Sequence, residues 1–373
     1  MIVCPPERIT RAQQAVAAAG LDAMLVTPGA DLAYLTGYRA TALERLTCLV
    51  VAAAGDPLVV VPVLERPAAL ASPITALGLE VSAWGETDDP YALVAGHVRA
   101  RGATAPRIAV ADHMWTVTSQ ALCAAAGVPA PELAGPILRE LRVRKSAQEV
   151  AALRTAGAAI DAVHRQVPAM LRAGRTETDV GRDIADAIIA AGHVQVDFTI
   201  VGSGPNSASP HHELSDRLIG AGEPVVVDIG GTTPEGYCSD STRTYFVGAD
   251  PDEKFSTFYA VLRQAQAAAC DAVRPGATCE EIDAVARDII TTAGYGDQFI
   301  HRTGHGIGME VHEDPYIVSG NTLPLEPGMA FSIEPGIYFA DRYGARIEDI
   351  LVCTETGGER LNDTDRDLVI IPS

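Results

Sequence analysis

The chain has 373 residues, enough for two ordinary domains with sizeable cores, and 47% apolar content without a low-complexity tract marks it as globular throughout. A formal charge of −20 excludes nucleic acid and anionic membrane as partners, because both select a basic face. Seven cysteines, odd in number and without a CxxC pair, read as reduced thiols, and no apolar run reaches the length of a membrane span.

The opening MIVCPPERIT lacks a charged segment followed by an apolar one, so a soluble, cytoplasmic protein is expected. From Arg8 to Ala19 the pattern is helical and stops at Gly20. DAMLVTP, LTCLVVAAA and PLVVVPV then read as strands, Tyr91 to Arg101 as a polar helix, RIAVA as a strand and Thr116 to Ala126 as an Ala-rich helix. Strands alternating with helices predict an α/β domain. Its acids and histidines are sparse, and His97 reads as a satisfied surface residue, so no chemistry is assigned to it. Pro129, Pro131 and Pro136 mark the exit, and RELRVRKSAQE leads into a long helix beginning near Ser146, which predicts domains over 1–140 and 141–373.

Beyond that boundary the chain repeats itself. Arg172, Gly174, Thr176, Asp179, Val180, Asp186, Ile188 and Gly192 recur 102 residues later as Arg274, Gly276, Thr278, Glu281, Ile282, Asp288, Ile290 and Gly294. Each copy reads as a Thr-x-x-acid capping box, an amphipathic helix and a terminating glycine. Gly202 and Gly204 fall on Gly304 and Gly306 in the same register. Two similar halves packed about a pseudo-twofold axis are predicted, with Thr176 and Thr278 as equivalent N-caps.

The first half contains VVVDIGGTTPEGYCSDSTRTY, in which an apolar run ends in Asp228, glycines and Pro234 supply a reversal, and a Thr/Tyr-rich return strand carries Asp240. Alone, this is a hairpin with polar ends. Cys238 would share a strand face with Asp240 but reads as a small buried residue. The second half repeats the arrangement in MAFSIEPGIYFADRYGARIEDILV, with Glu334 at the end of an apolar strand, a turn through Pro335 and Gly336, and Glu348 on the return. Asp228 corresponds to Glu334 and Asp240 to Glu348 at offsets of 106 and 108. Duplication thus brings four carboxylates to one centre, where they repel unless cations lie between them.

His305, flanked by Gly304 and Gly306, can approach that centre closely. Four carboxylates and an imidazole suit Mn²⁺, Fe²⁺ or Co²⁺ better than a cysteine-bound structural zinc, and two acid pairs imply two ions, whose effect on a nearby water makes hydrolysis the expected reaction. His301 and His312 flank His305, and His211 follows the corresponding loop GSGPNSASP, so these three are candidates for binding substrate or stabilising a tetrahedral intermediate. His193 reads as a satisfied core residue and His212 as solvated.

In order and spacing, SGPNSASPHHE, DIGG with SDSTRT, HRTGHGIGMEVHE, SIEPG and RIED resemble the pita-bread metallopeptidases, in the Xaa-Pro dipeptidase (prolidase) and aminopeptidase P branch. The resemblance covers residues 140–373; the N-terminal part is similar to the family's creatinase-like domain in length and alternation only. It implies an α+β pita-bread domain with internal pseudo-twofold symmetry after the α/β domain. It further implies Asp228, Asp240, His305, Glu334 and Glu348 as ligands of two divalent ions, manganese first, with cobalt, iron or zinc as alternatives.

Glu334 would also accept the proton of the attacking water, His211 would lie near the scissile bond, His301 and His312 would steady the intermediate, and Arg346 would orient substrate or belong to a network. The implied activity is cleavage between an N-terminal residue and proline in a small peptide, by a homodimer. The Asp228–Asp240 loop is one residue longer than in some members, and no ligand position is substituted. Another metal-assisted amide or ester hydrolase is the second reading and a non-enzymatic pita-bread binding module the third; creatinase-type members lack the full ligand set, and methionine aminopeptidases lack a comparable N-terminal domain.

Overall fold

The computed structural model describes residues 4–100, 105–248 and 250–372, so Met1 to Val3 and the expected helix end at Arg101 lie outside the described residues. Two compact units meet in sequence between Arg142 and Val143. The first contains α1 (Glu7–Ala18), β1 (Ala23–Val26), α2 (Ala30–Thr36), β2 (Cys48–Ala52), β3 (Leu58–Pro62), α3 (Arg66–Ala71), β4 (Glu80–Trp84), α4 (Pro90–Arg99), β5 (Ile108–Val110), α5 (Thr116–Ala126), β6 (Glu132–Leu133) and α6 (Gly135–Arg142).

Its strands form one mixed sheet in the order β4-β3-β2-β1-β5-β6, with β1 and β2 antiparallel and β1 and β5 parallel. The central strands are continuous apolar runs buried along their whole length, as strands covered on both faces must be. The short helices α2 and α3, and β4 with its half-exposed EVSAW, have too little periodicity to be read from sequence.

The second unit opens with α7 (Ala147–His164), started by a full capping box of Ser146 and Glu149. Then come α8 (Val167–Met170), α9 (Glu177–Ala190), β7 (Gln195–Ser203), β8 (Glu223–Thr232) and β9 (Cys238–Gly248). The second half follows as α10 (Glu253–Ala272), α11 (Cys279–Thr292), β10 (Gly304–Gly306), β11 (Glu313–Ile317), β12 (Ala330–Ile333), β13 (Gly336–Phe339), β14 (Tyr343–Arg346), β15 (Asp349–Thr354), β16 (Gly357–Arg360) and β17 (Val369–Pro372). Each half buries its helices against its own sheet. Ile160, Val180, Ile184, Val225 and Val227 pack in the first core, and Phe258, Leu262, Ile282, Phe331 and Leu351 in the second.

The pseudo-twofold symmetry is visible in backbone detail. Thr176 and Thr278 are N-caps of nearly identical dihedrals, each accepting from the N–H three residues on, and each forms an isolated bridge, to Leu218 and Pro324. Gly174 N donates to Ile219 O at 2.9 Å, and its repeat, Gly276 N, to Leu325 O at 2.8 Å. The capping boxes differ from expectation. Thr278 has the reciprocal bond from Glu281, while Asp179, one methylene shorter, does not reach back to Thr176 and lies 3.6 Å from Arg182 instead.

The hairpins also depart from the predicted turns. Gly230 and Gly231 belong to β8, whose ladder with β9 runs unbroken from Glu223↔Val247 to Thr232↔Cys238. A Cβ on Gly230 would lie 2.5 Å from Phe198 and from Ser239 O, so glycine is required there for close strand approach, and the reversal is made by residues 233–237 with Gly236 at φ 92. In the second half, Pro335 has no N–H to donate and the ladder breaks there. β12 pairs with β15, β13 with β14, and the chain turns at residues 340–342.

Candidate metal centre

The register of β8 and β9 sets Asp228 opposite Thr242 and Asp240 opposite Gly230, so the two acids are diagonal neighbours on one face. Glu334 and Glu348 occupy the break in the second hairpin, between the pairs Ile333↔Asp349 and Gly336↔Arg346. Freed from their own ladder, their N–H groups tie elsewhere, Glu334 N to Thr303 O at 2.7 Å and Glu348 N to Thr242 O at 3.1 Å. The second bond joins the two halves at the pseudo-axis.

His305 lies on β10, where a Cβ on either flanking glycine would run into the backbone of Ser332 or Asp314. Its N–H donates to Ser332 Oγ at 3.0 Å, and Nδ1–H to Gly306 O at 3.1 Å. That leaves Nε2 facing Asp240 Oδ2 at 3.5 Å and Glu334 Oε1 at 3.2 Å. The ring nitrogen and the two carboxylates thus converge on one point, as donors to a shared cation would.

The donor set fits divalent metal. Ligand-type atoms of Asp228, Asp240 and Glu348 lie within 4.8 Å of one another, as do those of His305, Glu334 and Glu348, and those of Asp240, His305 and His312. At an effective dielectric of ~20, each pair of like charges at that distance costs roughly 3 to 4 kcal/mol. Against a typical folding stability of about 5–15 kcal/mol, three such pairs cannot persist ionised and uncompensated. Accordingly burial first, and then the neighbouring carboxylates, hold Asp240 and Glu348 well above the ordinary carboxyl range, and burial raises Asp228. Burial works on Glu334 in the same sense, but the hydrogen bond and charge of His305, with His301 and Arg346, outweigh it and hold it at about 2. Among the described residues, Asp228 Oδ1 and Glu348 Oε1 are buried without any hydrogen-bond partner. Two orphaned carboxylate oxygens in one cluster are acceptors that a bound divalent ion would satisfy.

The cluster lies in a cavity of about 880 Å³ that is also lined by His211, His301, Arg302, His312 and Arg346, with Phe198, Ile200, Ile300 and Val311 as apolar wall. Arg346, 3% exposed, donates from Nη2 to Asp228 Oδ2 at 2.7 Å and to Pro210 O at 3.2 Å, and from Nη1 to Tyr338 OH at 2.7 Å. The carbonyl of Arg302, 2.7 Å from His301 Nδ1, requires the proton on that nitrogen, so Nε2 accepts from Tyr338 OH at 3.0 Å. Both nitrogens of His301 are therefore engaged. His312 lines the cavity with its ring 4.0 Å from that of His305; burial and the charges of His305 and Arg302 hold it at about 4. His211 is exposed and also lines the cavity.

Tyr338, Thr242 and Ser332 were not singled out from sequence. Thr242 Oγ1 donates to Glu348 Oε2 at 2.8 Å and accepts from Arg346 Nε at 3.1 Å, and its place two residues after Asp240 on the same strand face was a usable signal. Tyr338 had none, since its link to His301, 37 residues away, leaves no mark in the spacing. His193 and His97 are satisfied as read, at 2.8 Å from Ser239 Oγ and 3.1 Å from Asp56 O. His212 is not simply solvated, because its Nε2 lies 2.7 Å from the buried carboxylate of Glu177. All seven cysteines are unpaired; Cys238 is buried, its thiol raised by burial and nearby acids, and it belongs to none of the metal-binding groups found among the described residues.

Two family models divide the chain between them. Metallopeptidase family M24 matches residues 151–355, and the creatinase/prolidase N-terminal domain matches residues 8–144. The chain belongs to metallopeptidase family M24. It is 53% identical over 365 residues to a probable dipeptidase, PepE, of Mycobacterium tuberculosis, covering 98% of this chain and 96% of that protein. The crystal structure of dipeptidase PepE from Mycobacterium ulcerans matches with a TM-score of 0.93 at 52% identity over 98% of each chain. An Xaa-Pro dipeptidase from Lactobacillus helveticus is 39% identical over 352 residues, 91% of this chain and 92% of that one. The metallopeptidase has the pita-bread fold of the prolidase branch behind a creatinase-like N-terminal domain, and its family implies divalent metal. Among the described residues no helix is long and apolar enough to cross a membrane.

Proposed function

We propose that this metallopeptidase hydrolyses the bond between an N-terminal residue and proline, using two divalent ions, manganese foremost, held by Asp228, Asp240, His305, Glu334 and Glu348. The observation that carries the metal dependence is the pair of buried, partnerless oxygens on Asp228 and Glu348, facing the other ligand-type groups. The proline preference is supported by the relative named Xaa-Pro dipeptidase and by the apolar wall of Phe198, Ile200 and Val311. A tertiary amide has no N–H, so it can meet such a wall where an ordinary peptide would bury an unpaired donor at a cost of about 1–3 kcal/mol.

When bound, the ions supply Lewis acidity and acidify water into the neutral range. The chain supplies the proton handling. Glu334 takes the proton of the attacking water as the C–O bond forms and the carbonyl π pair moves to oxygen, and then delivers it to the proline nitrogen as that pair returns and the C–N bond breaks. His312 donates to the carbonyl oxygen as negative charge builds there. With both nitrogens spent, His301 holds Tyr338 and through it Arg346, which keeps Asp228 and the Pro210 carbonyl in place. His211 faces the scissile bond from the first half.

The test is a panel of Ala-Pro, Ala-Ala and Ala-Pro-Ala assayed with Mn²⁺, Co²⁺ and Zn²⁺. Ala-Pro is expected to be cleaved at least about tenfold faster than Ala-Ala, the factor that one unpaired buried donor supplies. Equal rates with metal loaded would move the protein to a general metal-assisted hydrolase, and cleavage of the tripeptide alone would mark an aminopeptidase.

A further inference from the structure

Outside the metal cluster, one buried acid sends its side-chain hydrogen bonds to the loop that borders the cavity. Glu177, in the first turn of α9, is completely buried. Its Oε1 accepts from Ser203 N and Ser203 Oγ, both at 2.7 Å, and from Asn206 Nδ2 at 3.1 Å. Its Oε2 accepts from Asn206 Nδ2 at 3.0 Å and Ser215 Oγ at 2.5 Å, with His212 Nε2 at 2.7 Å. These donors close both ends of the 203–215 loop on one carboxylate. Charge-assisted bonds of this number offset its burial, and Ser215 and Ser203 hold it ionised against the desolvation.

The loop forms part of the cavity wall, which Ser209, Pro210 and His211 share with His312. It presents His211, and Pro210 O accepts from the same Arg346 that grips Asp228. Among the described residues the His211 ring makes no hydrogen bond, so its position is inherited from the backbone beneath it, whose next residue, His212, is clamped to Glu177. The second half uses the same device. Asp283 of α11, also buried, accepts from Thr303 N at 3.2 Å and Thr303 Oγ1 at 2.8 Å, between His301 and His305. A buried helix-borne carboxylate fastening the histidine loop on both sides of the pseudo-axis ties the feature to the cavity rather than to one helix.

We propose that Glu177 is a positioning residue for the reaction, acting through the 203–215 loop to hold His211 against the substrate; this rests on the reading that His211 meets the scissile bond. The test is a double-mutant cycle on the manganese-loaded full chain with Ala-Pro, comparing Glu177→Gln, His211→Ala and the pair, with metal content and melting temperature measured for each. Glu177→Gln is expected to lower kcat about tenfold with KM changed less than about twofold and the metal retained, the size of effect that a displaced wall gives. In the His211→Ala background the same change is expected to cost less than about twofold, because the group it positions is gone.

A full loss in both backgrounds, or none in the native one, would overturn the role of Glu177. Where Glu177→Gln fails to fold, Ser215→Ala and His212→Gln each remove one bond of the clamp and enter the same cycle, with non-additivity expected and additivity overturning. The two readings fail differently. Unchanged turnover in His211→Ala removes the role of His211 and the proposal with it, whereas a slow His211→Ala with an additive Glu177→Gln removes only the clamp.

Discussion

The two halves of the catalytic unit began from one pattern and now hold their acids in different ways. In the first, an unbroken β8–β9 ladder sets Asp228 and Asp240 by register alone, and the short aspartate side chain suffices because the backbone is already in place. In the second, Pro335 interrupts the hairpin, Glu334 and Glu348 sit in the gap, and a longer side chain covers the distance while Thr303 O and Thr242 O hold the backbone. Symmetry brings the four carboxylates together, and departure from symmetry gives them different partners. Asp228 is locked by Arg346, but Glu334 has His305 and Ser332 Oγ as its contacts and faces the cavity.

The largest expected effect breaks that comparison at its corresponding pair. Glu334→Gln should lower turnover by about 10² to 10⁴ with little change in KM, the range for losing a general base. Asp228→Asn should show itself in metal content instead; identical kinetic and metal phenotypes for the two variants would mean that the halves are not specialised. Next in size is Asp240→Ala, from the first-half ladder. Elemental analysis should show at least one ion lost, and the manganese-dependent stabilisation, worth about 2.7 kcal/mol at a hundredfold excess over Kd, should shrink. An unchanged metal stoichiometry would remove Asp240 from the ligand set.

A smaller effect sharpens the comparison behind the sheets. Buried His164 on α7 lies 3.0 Å from Tyr245 OH and 3.1 Å from Ser241 O, whereas 102 residues on, buried Gln266 donates to Asp349 at 2.9 Å. Burial first, and then the charge of Arg243, depress His164 from 6.5 to about 3. The unfolded chain therefore binds a proton that the folded one refuses, so this contribution to stability is complete above about pH 6.5 and is lost as pH falls towards 3, by at most ~1.4 kcal/mol per unit. His164→Gln copies the second half into the first. It should flatten the difference between urea midpoints at pH 7 and pH 5 in chelated protein, and an equally steep fall in the variant would show that His164 is not its source. The smallest effect is at the caps. Thr176→Ala and Thr278→Ala should each cost about 1 kcal/mol in thermal unfolding, with Thr278 costing a few tenths more because Glu281 completes its box.

Residue types and their spacing were enough to set the α/β unit ahead of a duplicated one, the pairing of Asp228 with Glu334 and of Asp240 with Glu348, and the glycine-flanked His305, because periodicity and internal repetition are properties of a one-dimensional string. The string could not say that Gly230 lies within a strand rather than a turn, since the reason is the ring of Phe198 pressed against it from β7. Nor could it say that Pro335 breaks a ladder rather than turning a chain, that both nitrogens of His301 are taken, that Tyr338 joins His301 to Arg346, or that Glu177 gathers the His211 loop. Each of these is settled by packing, which brings Tyr338 to His301, 37 residues away, and Ser203 and His212 to Glu177, 26 and 35 residues away. Local chemistry selects which side chains can do the work; only the folded backbone decides which of their hydrogen-bonding atoms are left free to do it.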